Sequence, residues 1–324
     1  MAYKPRHLMT LFLPALLLAG LAVSCTDTDI LPDADAPSID FGTPALTRGV
    51  VTSDADMNAF DVWGWYEPTA GGGEVNQVFN ATTVTKESTD SWKYDNPQRW
   101  QPGNTYRFYA VYPSSGATNK GYESASYDKS GNLTITNFDC TKGVDLMTAS
   151  QECVADEMIA EKKRVSMDFG HELARLKFTV KSENTVATLT SFKLYGVNYK
   201  GTLAKSGTVI WNPVYKCDEQ NTPYINEDDF TFNTTNNFEK DMLGDVLLIP
   251  HTEKDLDYAQ IHIAYRYQEE TEPRISTINL KNTAITQWEA GKSYHYTLTI
   301  KGGTLTVTVK VVDWTEMDTS VSWG

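Results

Sequence analysis

Hydrophobic and polar residues alternate with period two over several long stretches. Tyr106, Phe108, Ala110 and Tyr112 interleave with Arg107, Tyr109 and Val111, and Val165, Met167 and Phe169 with Ser166 and Asp168. Leu176, Phe178 and Val180 alternate with Arg175, Lys177 and Thr179. Near the far end, Tyr294, Tyr296, Leu298 and Ile300 and then Leu305, Val307, Val309 and Val311 repeat the pattern. Period two sends successive side chains to opposite faces, so these stretches predict antiparallel strands with one face on a core and the other wet. Gly302-Gly303 between the last two runs predicts a hairpin. Gly71-Gly72-Gly73, Pro102-Gly103 and Lys129 to Gly131 predict further turns. Helical spacing is weak throughout, with Val154 to Lys163 the best short candidate. The expected class is all-β, built as sandwiches.

At 324 residues the chain is long enough for two domains. No Pro/Gly linker marks a boundary. The charged stretch Glu152 to Lys163, before the strand that starts at Val165, places the expected cut near residue 160. That gives segments 49–160 and 161–324, preceded by 1–24 and 25–48.

The first of these segments reads as an export signal. Lys4 and Arg6 precede an apolar run, Leu8 to Val23, which is shorter than a comfortable membrane span and holds Pro14. Ala22-Val23-Ser24 then precedes Cys25, and small residues before a lone Cys resemble a bacterial lipobox. Ala22 stands where that motif usually has Leu, with Leu21 one place further out. The resemblance implies acylation of Cys25 and anchoring in the outer membrane through acyl chains. Asp27, Asp29, Asp33 and Asp35 follow; acidic residues behind the lipidated Cys resemble the surface-export signal of Bacteroidota lipoproteins.

Composition narrows the function classes. Hydrophobic residues make up 40% of the chain, which excludes wholesale disorder. A net charge of -14 argues against a nucleic-acid partner, which needs a basic face. The histidines are His7, His171, His251, His262 and His295, and none falls in a metalloprotease, nucleophile-elbow, phosphate-loop or dinucleotide-binding motif. No catalytic, metal or cofactor-binding residue is assigned, and an enzyme is not expected. Trp63, Trp65, Tyr66, Trp92 and Trp100 cluster in the first domain, where core packing is favoured over an exposed platform for sugar rings. Cys140 and Cys153 lie 13 residues apart and are a candidate disulfide in an exported protein, the other reading being two buried thiols.

An ordered set of segments resembles the Bacteroidota fimbrillin family, the type V pilins. It comprises Phe60-Asp61-Val62-Trp63-Gly64-Trp65, Tyr106 to Pro113 after Trp100, Val144-Asp145-Leu146-Met147-Thr148-Ala149, and Met167 to Leu176. Leu248-Ile249-Pro250, Trp288 to Tyr294 and Val311-Val312-Asp313-Trp314 complete it. The resemblance implies two transthyretin-like β-sandwiches in tandem, in a lipoprotein precursor of the outer membrane that becomes part of a cell-surface fimbrium serving adhesion. It further implies other fimbrial subunits and an Arg-specific protease as partners, the protease cutting between Arg48 and Gly49. Arg48 is the only basic residue between Cys25 and Gly49. A sandwich short of one strand exposes an apolar groove and unpaired backbone, which a neighbour's strand can fill. Ser38-Ile39-Asp40-Phe41 is the expected occupant before assembly. Thr315 to Trp323 is the expected donor strand, with Met317, Val321 and Trp323 on one face as groove fillers. The alternative is a non-polymerising surface lipoprotein that binds glycan or protein ligands.

Overall fold

The computed structural model describes residues 36–46, 57–88, 91–183, 185–218, 222–281, 285–302 and 304–314. These residues fold as an all-β protein of four sheets with two short helices. The largest sheet has seven strands in the order β1 (Ala45–Leu46), β9 (Asp168–His171), β8 (Met147–Val154), β5 (Asn104–Tyr112), β2 (Ala59–Pro68), β3 (Asn76–Ser88) and β4 (Ser91–Lys93). Helix α1 (Ala155–Glu161) follows β8, within the stretch expected to be helical. Its first turn carries Asp156 and Glu157, whose charge suits the positive end of the helix dipole.

The wet face predicted for Tyr106 to Tyr112 is in fact covered. Even-numbered residues of β2 and β5 (Phe60, Val62, Phe108, Ala110) enter one core, shared with Ile39, Phe41, Val165 and Phe169. Odd-numbered residues (Trp63, Trp65, Val111) enter a second core on the opposite face. The sheet that closes this second core runs β13 (Thr208–Lys216), β12 (Asn198–Ser206), β7 (Leu133–Asp139), β6 (Ser124–Tyr127). Tyr109 and Val111 at the nominally polar positions are the residues that favour this second layer, because both shed apolar surface against Trp63, Trp65 and Tyr127.

The third core lies between two further sheets and forms a β-sandwich. One is β16 (Glu239–Leu248), β10 (Ala174–Ser182), β19 (Lys292–Lys301) and β20 (Thr304–Asp313). The other is β14 (Ile225–Asn226), β11 (Ala187–Tyr195), β17 (Gln260–Tyr267) and β18 (Arg274–Asn279), with β15 (Phe230–Phe232) also pairing with β11. Leu176, Phe178 and Val180 meet Leu189, Phe192 and Ile261 across it. The hairpin expected at Gly302-Gly303 joins β19 and β20, which pair from Lys301↔Thr304 to Lys292↔Asp313. The second helix, α2 (Glu253–Leu256), starts at a Thr252 capping box.

The two halves share structure across residue 160. Strands β9 and Val165 belong to the first core, and β7 pairs with β12 from the other half. Two pairs, β1 with β9 and β10 with β19, are parallel, within sheets otherwise antiparallel. Among the described residues no helix is long and apolar enough to cross a membrane.

Candidate functional site

Residues 36–46 run across the first core before β2 begins, and they are the part of the site that alternation identifies. Ile39 and Phe41 are 0% and 1% exposed, while Pro37 and Asp40 face out. The Phe41 ring sits in an aromatic cage, with centroids 6.0 Å from Phe60, 5.7 Å from Phe79, 5.8 Å from Tyr94 and 6.0 Å from Phe108. Edge-on and tilted contacts of this kind add to the burial itself.

The backbone of the segment is held at scattered points rather than by a long ladder. Ile39 N–H donates to Gln98 O at 2.8 Å, and Trp100 N–H donates to Pro37 O at 3.1 Å. Gly42 N–H donates to Val165 O at 2.9 Å, and Val165 N–H donates to Asp40 O at 2.8 Å. The Arg99 guanidinium donates to Ala36 O, and the Tyr94 hydroxyl to Ile39 O at 2.7 Å. Burial raises the Tyr94 phenol to about 12, so it stays a donor at any physiological pH. Beyond Phe41, β1 runs parallel to β9 for two residues. Side chains therefore carry most of the attachment. Tyr94 and Arg99, which clamp the segment from the loop after β4, carried no sequence signal of that role.

A second cluster ties the halves together. His171 Nδ1 lies 2.5 Å from Asp145 Oδ2, and its ring stacks on Trp314 at 4.1 Å with planes 9° apart. Arg175 lies over the other aromatic system of that stack, 5.4 Å from the Trp314 ring. Burial pushes the Asp145 carboxyl up from its usual range, opposed by the His171 hydrogen bond. Beside it the buried Glu172 accepts from Thr148 and from Lys205 Nζ at 2.7 Å. All of these residues but Lys205 sit in the segments that carry the family resemblance, but their contacts join elements far apart in the chain.

The other expected residues divide clearly. Trp63, Trp65, Trp92 and Trp100 are all buried, in the packing role favoured for them. Cys140 and Cys153 are not bridged: both are buried free thiols. Cys140 packs into the second core and Cys153 into the first, on opposite faces of the seven-stranded sheet. His251 is buried and neutral, its Nδ1–H donating to Ile249 O at 2.6 Å and its Nε2 accepting from Asn198 N–H at 2.9 Å. Burial lowers its pKa to about 4. His295 contacts Thr179 at 2.7 Å, and His262 lies on β17. Among the described residues no three His, Cys, Asp or Glu side chains are placed to hold a metal ion. Cys25, Arg48, Gly49, Met317, Val321 and Trp323 lie outside the described residues.

The chain belongs to the fimbrillin-like family, whose profile matches residues 47–314. Three crystal structures share the fold. A fimbrial protein from Bacteroides vulgatus is 16% identical, with 85% of this chain and 99% of that one covered and a TM-score of 0.55. Candidate cell-adhesion proteins from Bacteroides uniformis (14%, 88% and 100%, TM-score 0.51) and Bacteroides ovatus (15%, 87% and 99%, TM-score 0.51) are similar. At these identities the likeness concerns the fold alone. No curated protein matches the chain.

Proposed function

We propose that this protein is a subunit of cell-surface fimbriae that serve adhesion, made as an outer-membrane lipoprotein acylated at Cys25. In this reading residues 36–46 plug the first core during export. An Arg-specific protease cuts after Arg48, and the plug leaves with the lipid. A second subunit then fills the vacancy with the strand Thr315 to Trp323, using Met317, Val321 and Trp323. Each copy gives one strand and takes one, a heterologous contact that grows a fibre instead of closing a ring.

One observation carries the proposal: Ile39 and Phe41 complete a buried core only a few residues upstream of Arg48. A plain linker arginine has no reason to follow a core-filling strand so closely. The alternative, glycan binding through the first-domain tryptophans, is disfavoured by the burial of all four. Mass spectrometry of the cell-surface form tests the proposal. A mature N-terminus at Gly49 is expected; an acylated Cys25 retained in the fibre refutes the cut. Deleting residues 315–324 should abolish polymerisation, and normal fibres after the deletion rule out that donor.

A further inference from the structure

The plug has a near copy elsewhere in the chain. Residues 38–42 read Ser-Ile-Asp-Phe-Gly, and residues 320–324 read Ser-Val-Ser-Trp-Gly. Both have Ser, a β-branched aliphatic, a small polar residue, an aromatic and Gly in the same order. The match falls on the positions the site reads. Ile39 and Phe41 are the buried pair, Asp40 faces out, and Gly42 is where the chain passes Arg164 and Val165, a Cβ there lying 3.5 Å from Arg164 Cβ and 3.7 Å from Val165 O.

We propose that residues 320–324 of a second copy of this chain replace residues 38–42 one for one, in the same chain direction. The inference rests on the strand-exchange reading and fixes its register. Val321 takes the Ile39 position, Trp323 enters the aromatic cage of Phe41, and Gly324 takes the place of Gly42. The hydrogen bonds of the site follow without change, because those that Gln98 O accepts, that Val165 accepts and donates, and that the Tyr94 hydroxyl donates all involve backbone atoms of the plug. Ser322 faces out where Asp40 does. Trp323 is larger than Phe41, and Tyr94, half-buried and carried on a loop, is the cage wall best able to give. The molecule's own tail is a poor candidate. Trp314 is locked in the second core, on the opposite face of the seven-stranded sheet from the plug. The six residues from Trp314 to Ser320 reach at most about 20 Å, which must include the path around the sheet.

Cross-linking between copies tests the register. A Cβ built on Gly42 lies 3.5 Å from Arg164 Cβ, within the range a disulfide spans. Full-length R164C is mixed with full-length G324C or S320C, cut with an Arg-specific protease and oxidised. The expected result is a dimer linked 164–324, with none linked 164–320. In the same assay W323A should slow assembly by about tenfold or more, as for the loss of one buried anchor, with W323F close to the unaltered chain. Fibres that form with a 164–320 link, or with neither link, overturn the register while leaving strand exchange standing. A double variant R164C/G324C is treated in the same way, and a 164–324 link confined to its single chains, with none between the mixed single variants, overturns the second copy as donor. Complete cutting with no assembly overturns the register and strand exchange together.

Discussion

Phe41 and His251 show how single residues set the behaviour of the folded chain. Phe41 is buried among four rings, so Phe41→Ala should cost the uncut protein about 3–5 kcal/mol, read from urea denaturation midpoints. In the proposed assembly the same change leaves the fibre untouched, because there the residue departs with the plug. His251 acts through protons. Its folded pKa of about 4 lies below the ordinary 6.5, so between these values the unfolded chain binds the proton that the folded one refuses. Its contribution is full above about pH 6.5 and falls as the pH drops toward 4, by about 3 kcal/mol in all. Comparing acid unfolding of the protein with that of His251→Gln should show a shallower pH dependence in the variant. At this scale the sequence was only partly legible. The alternation in Ser38 to Phe41 marked the buried pair, whereas the Tyr94 and Arg99 clamps act by long-range contact and left no local pattern. The Cys140–Cys153 bridge failed for a related reason: spacing in sequence says nothing about which face of a sheet each thiol occupies.

Elements followed the alternation over the long period-two runs. β5, β10, β19 and β20, the helix α1 and the hairpin at Gly302 all lie where the pattern put them. Two features escaped it. The second layer over β2 and β5 turns a nominally wet face into core, and only the apolar Val111 and aromatic Tyr109 hinted at it. The parallel pairing of β10 with β19 joins strands more than a hundred residues apart, a choice made by tertiary packing. Turns obey local sterics more strictly. Gly196, between β11 and β12, has φ +70°, and a Cβ there would lie 1.8 Å from Tyr258 O. Gly196→Ala should therefore destabilise the third core by about 3 kcal/mol or more, measured as a lowered thermal midpoint.

Across the whole molecule, shared sheets and buried ties make the halves mechanically one body. The Lys205–Glu172 pair bridges the second sheet layer to the end of β9. Lys205→Met leaves the buried Glu172 carboxylate with the Thr148 donor alone and should cost about 1–3 kcal/mol, with the loss seen in both halves by hydrogen exchange. A fibre subunit under tension gains from such coupling, since load entering at one end passes through paired strands to the other. The resemblance supplied the expectation of two sandwiches; that β7 and β12 pair across the middle was legible in neither half alone. The account turns on the plug being removable and its vacancy being filled by another copy. The most direct measurement is the size distribution of the purified protein by light scattering before and after cutting at Arg48. A monomer that becomes a growing polymer only after the cut is predicted; a cut protein that stays monomeric at high concentration, stably folded without residues 25–48, contradicts it.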